Sequence, residues 1–170
     1  ARTTTKDDEL AQKSVYNMAN CYLQSNNKQY ARNAFKKASE LTYNDAISEE
    51  SLLSYAKLSY ELSYDPYSDA ISAFIEYLEK YPNALKKDEA FEYLVQIYLS
   101  TKNYRAALAS LELTKELDPR LREVYQKLQF NLAVEQFQNN NYHEAVNSFK
   151  KSQESPENKK LYAQSTYWIA

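Results

Sequence analysis

The sequence predicts an all-α fold of stacked antiparallel helix pairs, and three observations carry the prediction. The 170-residue chain has no glycine and only four prolines, whereas strand-rich folds need many turns with positive φ, which glycine supplies most readily. Apolar residues fall at i, i+3, i+4 and i+7, the spacing of one helical face. The whole pattern returns every 37–39 residues: Ala31, Ala70, Ala107 and Ala145 are each followed four positions later by Phe35, Phe74, Leu111 or Phe149.

The elements follow in order. A first helix at about 6–25 opens on the acidic "KDDE" stretch, which suits a helix N-terminus, and carries Val15, Met18, Ala19 and Tyr22 on one face. A second, about 29–42, carries Ala31, Phe35 and Ala38. The third spans about 46–64. Asp65-Pro66 then supplies a capping oxygen and a proline suited to the first helical turn, opening a helix at about 66–81 with Tyr67, Ala70 and Phe74. Asn83 caps a helix at about 84–100, where Phe91, Leu94, Val95 and Tyr98 form a stripe. "TKN" interrupts it, and Asn103 caps a helix at about 104–117 bearing Tyr104, Ala107, Leu108 and Leu111. Asp118-Pro119 opens a helix at about 119–138, Asn141 caps one at about 142–153, and Ser155-Pro156 caps a last helix at about 157–170. Neither helix of a pair can bury its stripe alone, but stacked pairs share a continuous core. The expected organisation is one repeat domain over 1–170, with units at about 6–43, 46–82, 84–119 and 119–156 and an unpaired helix 157–170. The chain ends on "STYWIA" within an apolar helical pattern, as a piece of a longer protein would.

These residues resemble the tetratricopeptide repeat family, whose 34-residue pattern is W-x2-L-G-x2-Y, then A-x3-F, then P. Phe91, Leu94, Val95, Tyr98, Tyr104, Ala107, Leu111 and Pro119 fall at the family spacing in the third unit. Val15, Met18, Ala19, Tyr22, Ala31, Phe35 and Ala38 do so in the first. The resemblance implies a right-handed superhelix of helix pairs and a non-enzymatic scaffold for protein partners. The family glycine is replaced by Ala19, Ser59, Val95 and Ala133. The longer period implies first helices about one turn longer than usual. Residues 70–94, with Ala70, Phe74, Tyr81, Pro82, Ala90 and Tyr93, are also similar to a bacterial-envelope subset, comprising Tol-associated periplasmic proteins and outer-membrane assembly lipoproteins. That similarity implies a periplasmic or outer-membrane-associated location, with the cytoplasm as the alternative.

Composition argues against several kinds of chemistry. The net charge is −2 with both signs interspersed, so no basic patch for nucleic acid is expected. No apolar run approaches the length of a membrane span. The absence of glycine rules out a glycine-rich phosphate loop. The single His143 lacks a nucleophile and an orienting group in the sequence pattern and reads as a surface residue at a helix start. The single Cys21 reads as a buried or half-buried thiol, with no basic neighbour to lower its pKa. One His and one Cys do not make a typical zinc site. No cofactor, metal or catalytic residue is therefore expected.

The seventeen tyrosines divide into two groups. Tyr22, Tyr67, Tyr98, Tyr104 and Tyr142 hold family core positions and are expected to pack with their hydroxyls at the rim. The resemblance also implies an inner groove lined by the first helix of each pair. The first unit contributes Tyr16, Asn20 and Gln24. The second, aligned on Leu58 and Ser59, contributes Tyr60 and Tyr64. The third gives Glu92 and Gln96, the fourth Phe130, Val134 and Phe137, and Tyr167 extends the row. Aromatic rings supply contact area and amides pair with peptide backbone, so the row suits an extended segment or a partner helix. Tyr16 and Glu89 stand where the family's carboxylate clamp uses Lys, so a carboxy-terminal tail is not the expected ligand. The alternative is a structural or docking arm of a larger protein that self-associates through the Trp168 region, since "YAQSTYWIA" is too apolar for a polar capping helix.

Overall fold

A computed structural model describes residues 6–62, 68–112 and 117–170. Among these residues there are nine α-helices and no strand: α1 Lys6–Gln24, α2 Lys28–Glu40, α3 Asp45–Leu62, α4 Ser68–Lys80, α5 Lys87–Ser100, α6 Tyr104–Glu112, α7 Pro119–Gln138, α8 Tyr142–Glu154 and α9 Lys159–Ile169. The chain forms two compact units, Ala1–Leu94 and Val95–Ala170, divided within α5.

In the first unit α2 packs against α1 and α3, α1 also meets α3, and α3 packs against α4. In the second, α8 packs against α7 and α9, α7 meets α9, and α6 packs against α7. First helices thus neighbour first helices, as stacked pairs require. The periodic alanines Ala31, Ala70, Ala107 and Ala145 are all buried, with Phe35, Phe74, Leu111 and Phe149 buried beside them. A small side chain is needed where helix axes approach closely, and the ring four residues on fills the space one turn away.

Helices α1, α3 and α7 run 19, 18 and 20 residues against 13 for α2, α4 and α8. The extra first-helix turn is therefore present at three places. Helix α5, with 14 residues, lacks it.

The corners show how a chain without glycine turns. Asn26 and Asn140 are left-handed, with φ of 58° and 60°, a region that asparagine tolerates better than other side chains. Around each, the next residue's N–H reaches a carbonyl five residues back, Asn27 to Tyr22 and Asn141 to Gln136, both at 2.8 Å. Asn26 and Asn140 donate to Leu23 and Phe137, both at 3.0 Å. This paired pattern satisfies the last carbonyls of a helix. Asn27 and Asn141 then begin the next helix without a side-chain capping bond, so Asn141 sits at the expected cap position but contributes its backbone.

Other caps divide into those that match expectation and those that do not. Asp118 accepts from Arg120 N at 3.0 Å with Pro119 in the first turn, and Asn103 accepts from Ala106 N at 3.2 Å. Ser155-Pro156 does not cap α9. Ser155 ends α8, and Asn158 caps α9 by accepting from Lys160 N and Leu161 N at 3.1 and 3.2 Å. Nor does Asn83 cap a helix, because a turn intervenes before α5 opens at Lys87. Asp65-Pro66 and Tyr67 lie outside the described residues.

Two further expectations are corrected. Cys21 is exposed, because the neighbouring Tyr22 takes the packed side of α1. Tyr142 is more than half exposed, and its ring lies edge-on against Phe137, which is itself exposed. Tyr98 is fully buried as expected, and its hydroxyl sits 3.1 Å from Ser110 Oγ.

Candidate functional site

The first-helix face of the first unit is built from α1, α3 and the start of α5. Tyr16 is half-buried and packs edge-on against Phe35, with ring centroids 6.0 Å apart. Burial raises its phenol pKa above the ordinary value, with Asn20 acting against the shift and the Glu50 carboxylate adding to it. Asn20, also half-buried, donates to the Tyr16 carbonyl at 3.1 Å, and Gln24 is exposed. Tyr60 is half-buried and meets Tyr93 edge-on at 5.6 Å, while Tyr93 stacks on Phe74 at 5.2 Å. Lys57 bridges α3 to α5 through Glu89 at 2.5 Å, and its ammonium lies 5.8 Å from the Tyr93 ring centre. Glu92 is exposed and Tyr64 lies outside the described residues. Tyr93 was missed as a face residue. It entered the sequence reading only through the likeness of residues 70–94 to the envelope subset, whereas its ring joins Tyr60 to Phe74.

In the second unit the aromatics converge further. Gln96 is exposed. Phe130 and Val134 are half-buried against the core cluster of Ala133, Ala145 and Phe149, together with Ile169. Phe130 meets Phe149 edge-on at 5.4 Å. Trp168 stacks on Phe149 at 5.8 Å and meets Phe137 edge-on at 5.0 Å. Phe137 also contacts Tyr142 at 5.2 Å, and Tyr167 meets Trp168 at 6.4 Å. The exposed rim of this ladder is Phe137, Tyr142, Trp168 and Tyr167, the last 79 % exposed. Phe130 and Val134 thus pack on this core and stay partly exposed, as Tyr16 and Tyr60 do in the first unit. Trp168 packs on Phe137 of α7 and Phe149 of α8 and still keeps part of its ring exposed.

Two residues that sequence reasoning passed over make polar contacts between segments far apart in sequence. Gln12 and Gln126 are wholly buried. The Gln126 amide donates to the Asn158 carbonyl at 3.0 Å and accepts from the Asn158 N–H at 2.7 Å. Gln12 accepts from Asn44 N at 2.7 Å and donates among Ala38 O at 3.1 Å, Ser48 Oγ at 2.9 Å and the Leu41 carbonyl. Each glutamine thereby holds the asparagine that opens the next first helix. Asn44 caps α3 through Ile47 N at 3.1 Å, as Asn158 caps α9. The signal was a glutamine 32 residues before an asparagine, occurring twice in one phase.

An open cleft of about 410 Å³ lies where α1 and α3 begin, lined by residues including Lys6, Asp7, Glu9, Leu10 and Lys13. Its two lysines and two carboxylates give it no charge preference. Among the described residues no group of three His, Cys, Asp or Glu side chains could hold a metal ion, and no helix is long and apolar enough to cross a membrane. His143 is exposed in the first turn of α8.

Comparison with curated proteins and with solved structures gave no match. The family model described as tetratricopeptide repeat matches residues 12–45 and 126–159. Each matched stretch opens on a buried glutamine and closes one residue after the asparagine that it holds. Together with the all-helical architecture, these two matches support a tetratricopeptide-type helical repeat fold, with the repeat family recognised in the first and fourth units.

Proposed function

We propose that the chain is a non-enzymatic scaffold whose first-helix faces bind a peptide or a segment of a partner protein. Repeats of this type are in general protein–protein interaction modules. The observation that carries the reading is the aromatic and amide surface on those helices: the partly exposed Tyr16, Asn20 and Tyr60 in the first unit, the exposed Phe137 and Tyr167 in the second. Rings fixed by neighbouring rings lose little freedom on binding, and a contact surface rich in Tyr and Trp gives area with polar edges. Selection from a random peptide library, followed by chemical-shift mapping of the enriched peptide, tests it. Shifts should concentrate on Tyr16, Tyr60 and Glu92 for a peptide held by the first unit, or on Gln96 and Phe137 for one held by the second. Shifts confined to the second helices α2, α4 and α8 would refute it.

A second reading has its own observation. Tyr162, Tyr167 and Trp168 all keep substantial exposure on α9, which favours an assembly or docking role through that helix. Sedimentation of the chain and of Trp168→Ser separates the two readings, because only the second requires a concentration-dependent association lost in the variant.

A further inference from the structure

The glutamine latch is not present at every junction. Nineteen positions before the buried alanines Ala31, Ala70 and Ala145 stand Gln12, Ser51 and Gln126. The asparagine held 32 positions later is Asn44 or Asn158, and the corresponding residue of the second repeat is Asn83. Serine is too short to reach it. Ser51 is fully buried and its hydroxyl has no hydrogen-bond partner. Seven positions after the alanine stand Ala38 and Ser152 at the latched junctions but Tyr77 here, its buried ring reaching Glu49 on α3 at 3.1 Å. The hydroxyl of Tyr81, packed on Tyr77, is likewise buried without a partner. The backbone differs at this junction too. Helices α3 and α9 open one residue after their asparagine, whereas α5 opens at Lys87, four after Asn83. The intervening turn holds Leu85 wholly in water.

We infer that residues 83–86 form an unlatched joint built into the first unit. Without a side-chain amide to fix the Asn83 backbone, this turn opens at far lower free energy than the junctions at Asn44 and Asn158. The two orphaned hydroxyls beside it add to that difference, since a buried unpaired group favours any opening that admits water. The joint stands whether or not the first-helix faces bind a partner.

Amide hydrogen exchange on the whole chain, read by NMR, tests it. In the native protein the Asn83 amide should exchange at least about tenfold faster than those of Asn44 and Asn158. Gln126→Ser should remove the protection of Asn158 while leaving Asn44 unchanged. The paired change Ser51→Gln with Tyr77→Ala should slow Asn83 toward the Asn44 rate. Equal protection of all three asparagines in the native protein would overturn the inference, as would an Asn158 amide unaffected by Gln126→Ser. Should the paired variant fail to fold, those two measurements decide.

Discussion

Replacing Gln126 with Met isolates the latch of the second unit. Methionine keeps nearly the same length and volume, so the site loses its amide without gaining a large cavity. Two bonds disappear, to Asn158 O at 3.0 Å and from Asn158 N at 2.7 Å. At about 0.5–1.5 kcal/mol net for each bond, the direct loss is about 1–3 kcal/mol. Asn158 is only half-buried, so water rescues part of what is orphaned, and about 2 kcal/mol is the expected result. The Asn158 cap on α9 depends on the same backbone, which places the loss where Trp168 reports it. Trp168 is the only tryptophan and stacks on Phe149, so its fluorescence in a urea titration follows this unit. The midpoint should fall with the slope unchanged. Gln138→Met, at an exposed position of the same helix, is the control and should stay within about 0.5 kcal/mol. Equal midpoints for the two variants would refute the reasoning.

Four more outcomes are expected. Ala107→Leu should overpack a buried helix crossing and destabilise by about 1–3 kcal/mol, lowering the thermal midpoint. Phe137→Ala should weaken capture of a library-selected peptide with little change in far-UV dichroism, whereas Phe130→Ala should lower stability, because Phe130 packs on Phe149. Cys21 should react with a maleimide in the native protein about as fast as in urea, since it is exposed. Stability should hold from neutral pH to about 9 and fall above the ordinary tyrosine value of 10.0. Burial raises Tyr98, and burial with Glu49 raises Tyr77, so above 10.0 the unfolded chain loses protons that the folded chain keeps. A denaturation series in pH should show that slope, and Tyr98→Phe should flatten it.

The fold was legible because its signals are local and repeated. The alanine and the large apolar residue four positions on fix where two helices cross, and that pair recurs four times. Caps were legible where the side chain itself does the capping, as at Asp118 and Asn103. They misled at Asn83, where a distant serine withholds the latch, and at Ser155, where Asn158 three residues on takes the role. The candidate face was legible only in outline. Family spacing places Phe130 and Val134 on the same helix face as Phe137, but it cannot show that α9 folds Ile169 and Trp168 against them. Gln12 and Gln126 escaped notice because their one signal, an asparagine 32 residues on, occurs only twice and lies outside the apolar pattern that marks the repeat.

Asparagine at the α1–α2 and α7–α8 corners has an effect on the denatured chain as well as on the folded one. A glycine there would fit the left-handed backbone with less strain, but it would also enlarge the set of shapes open to the disordered polypeptide. Asn26 and Asn140 accept some strain and leave that set smaller. With no glycine anywhere in 170 residues, melting releases less backbone disorder than in a chain of ordinary composition. The entropy that drives heat denaturation is thus reduced before any native contact is counted.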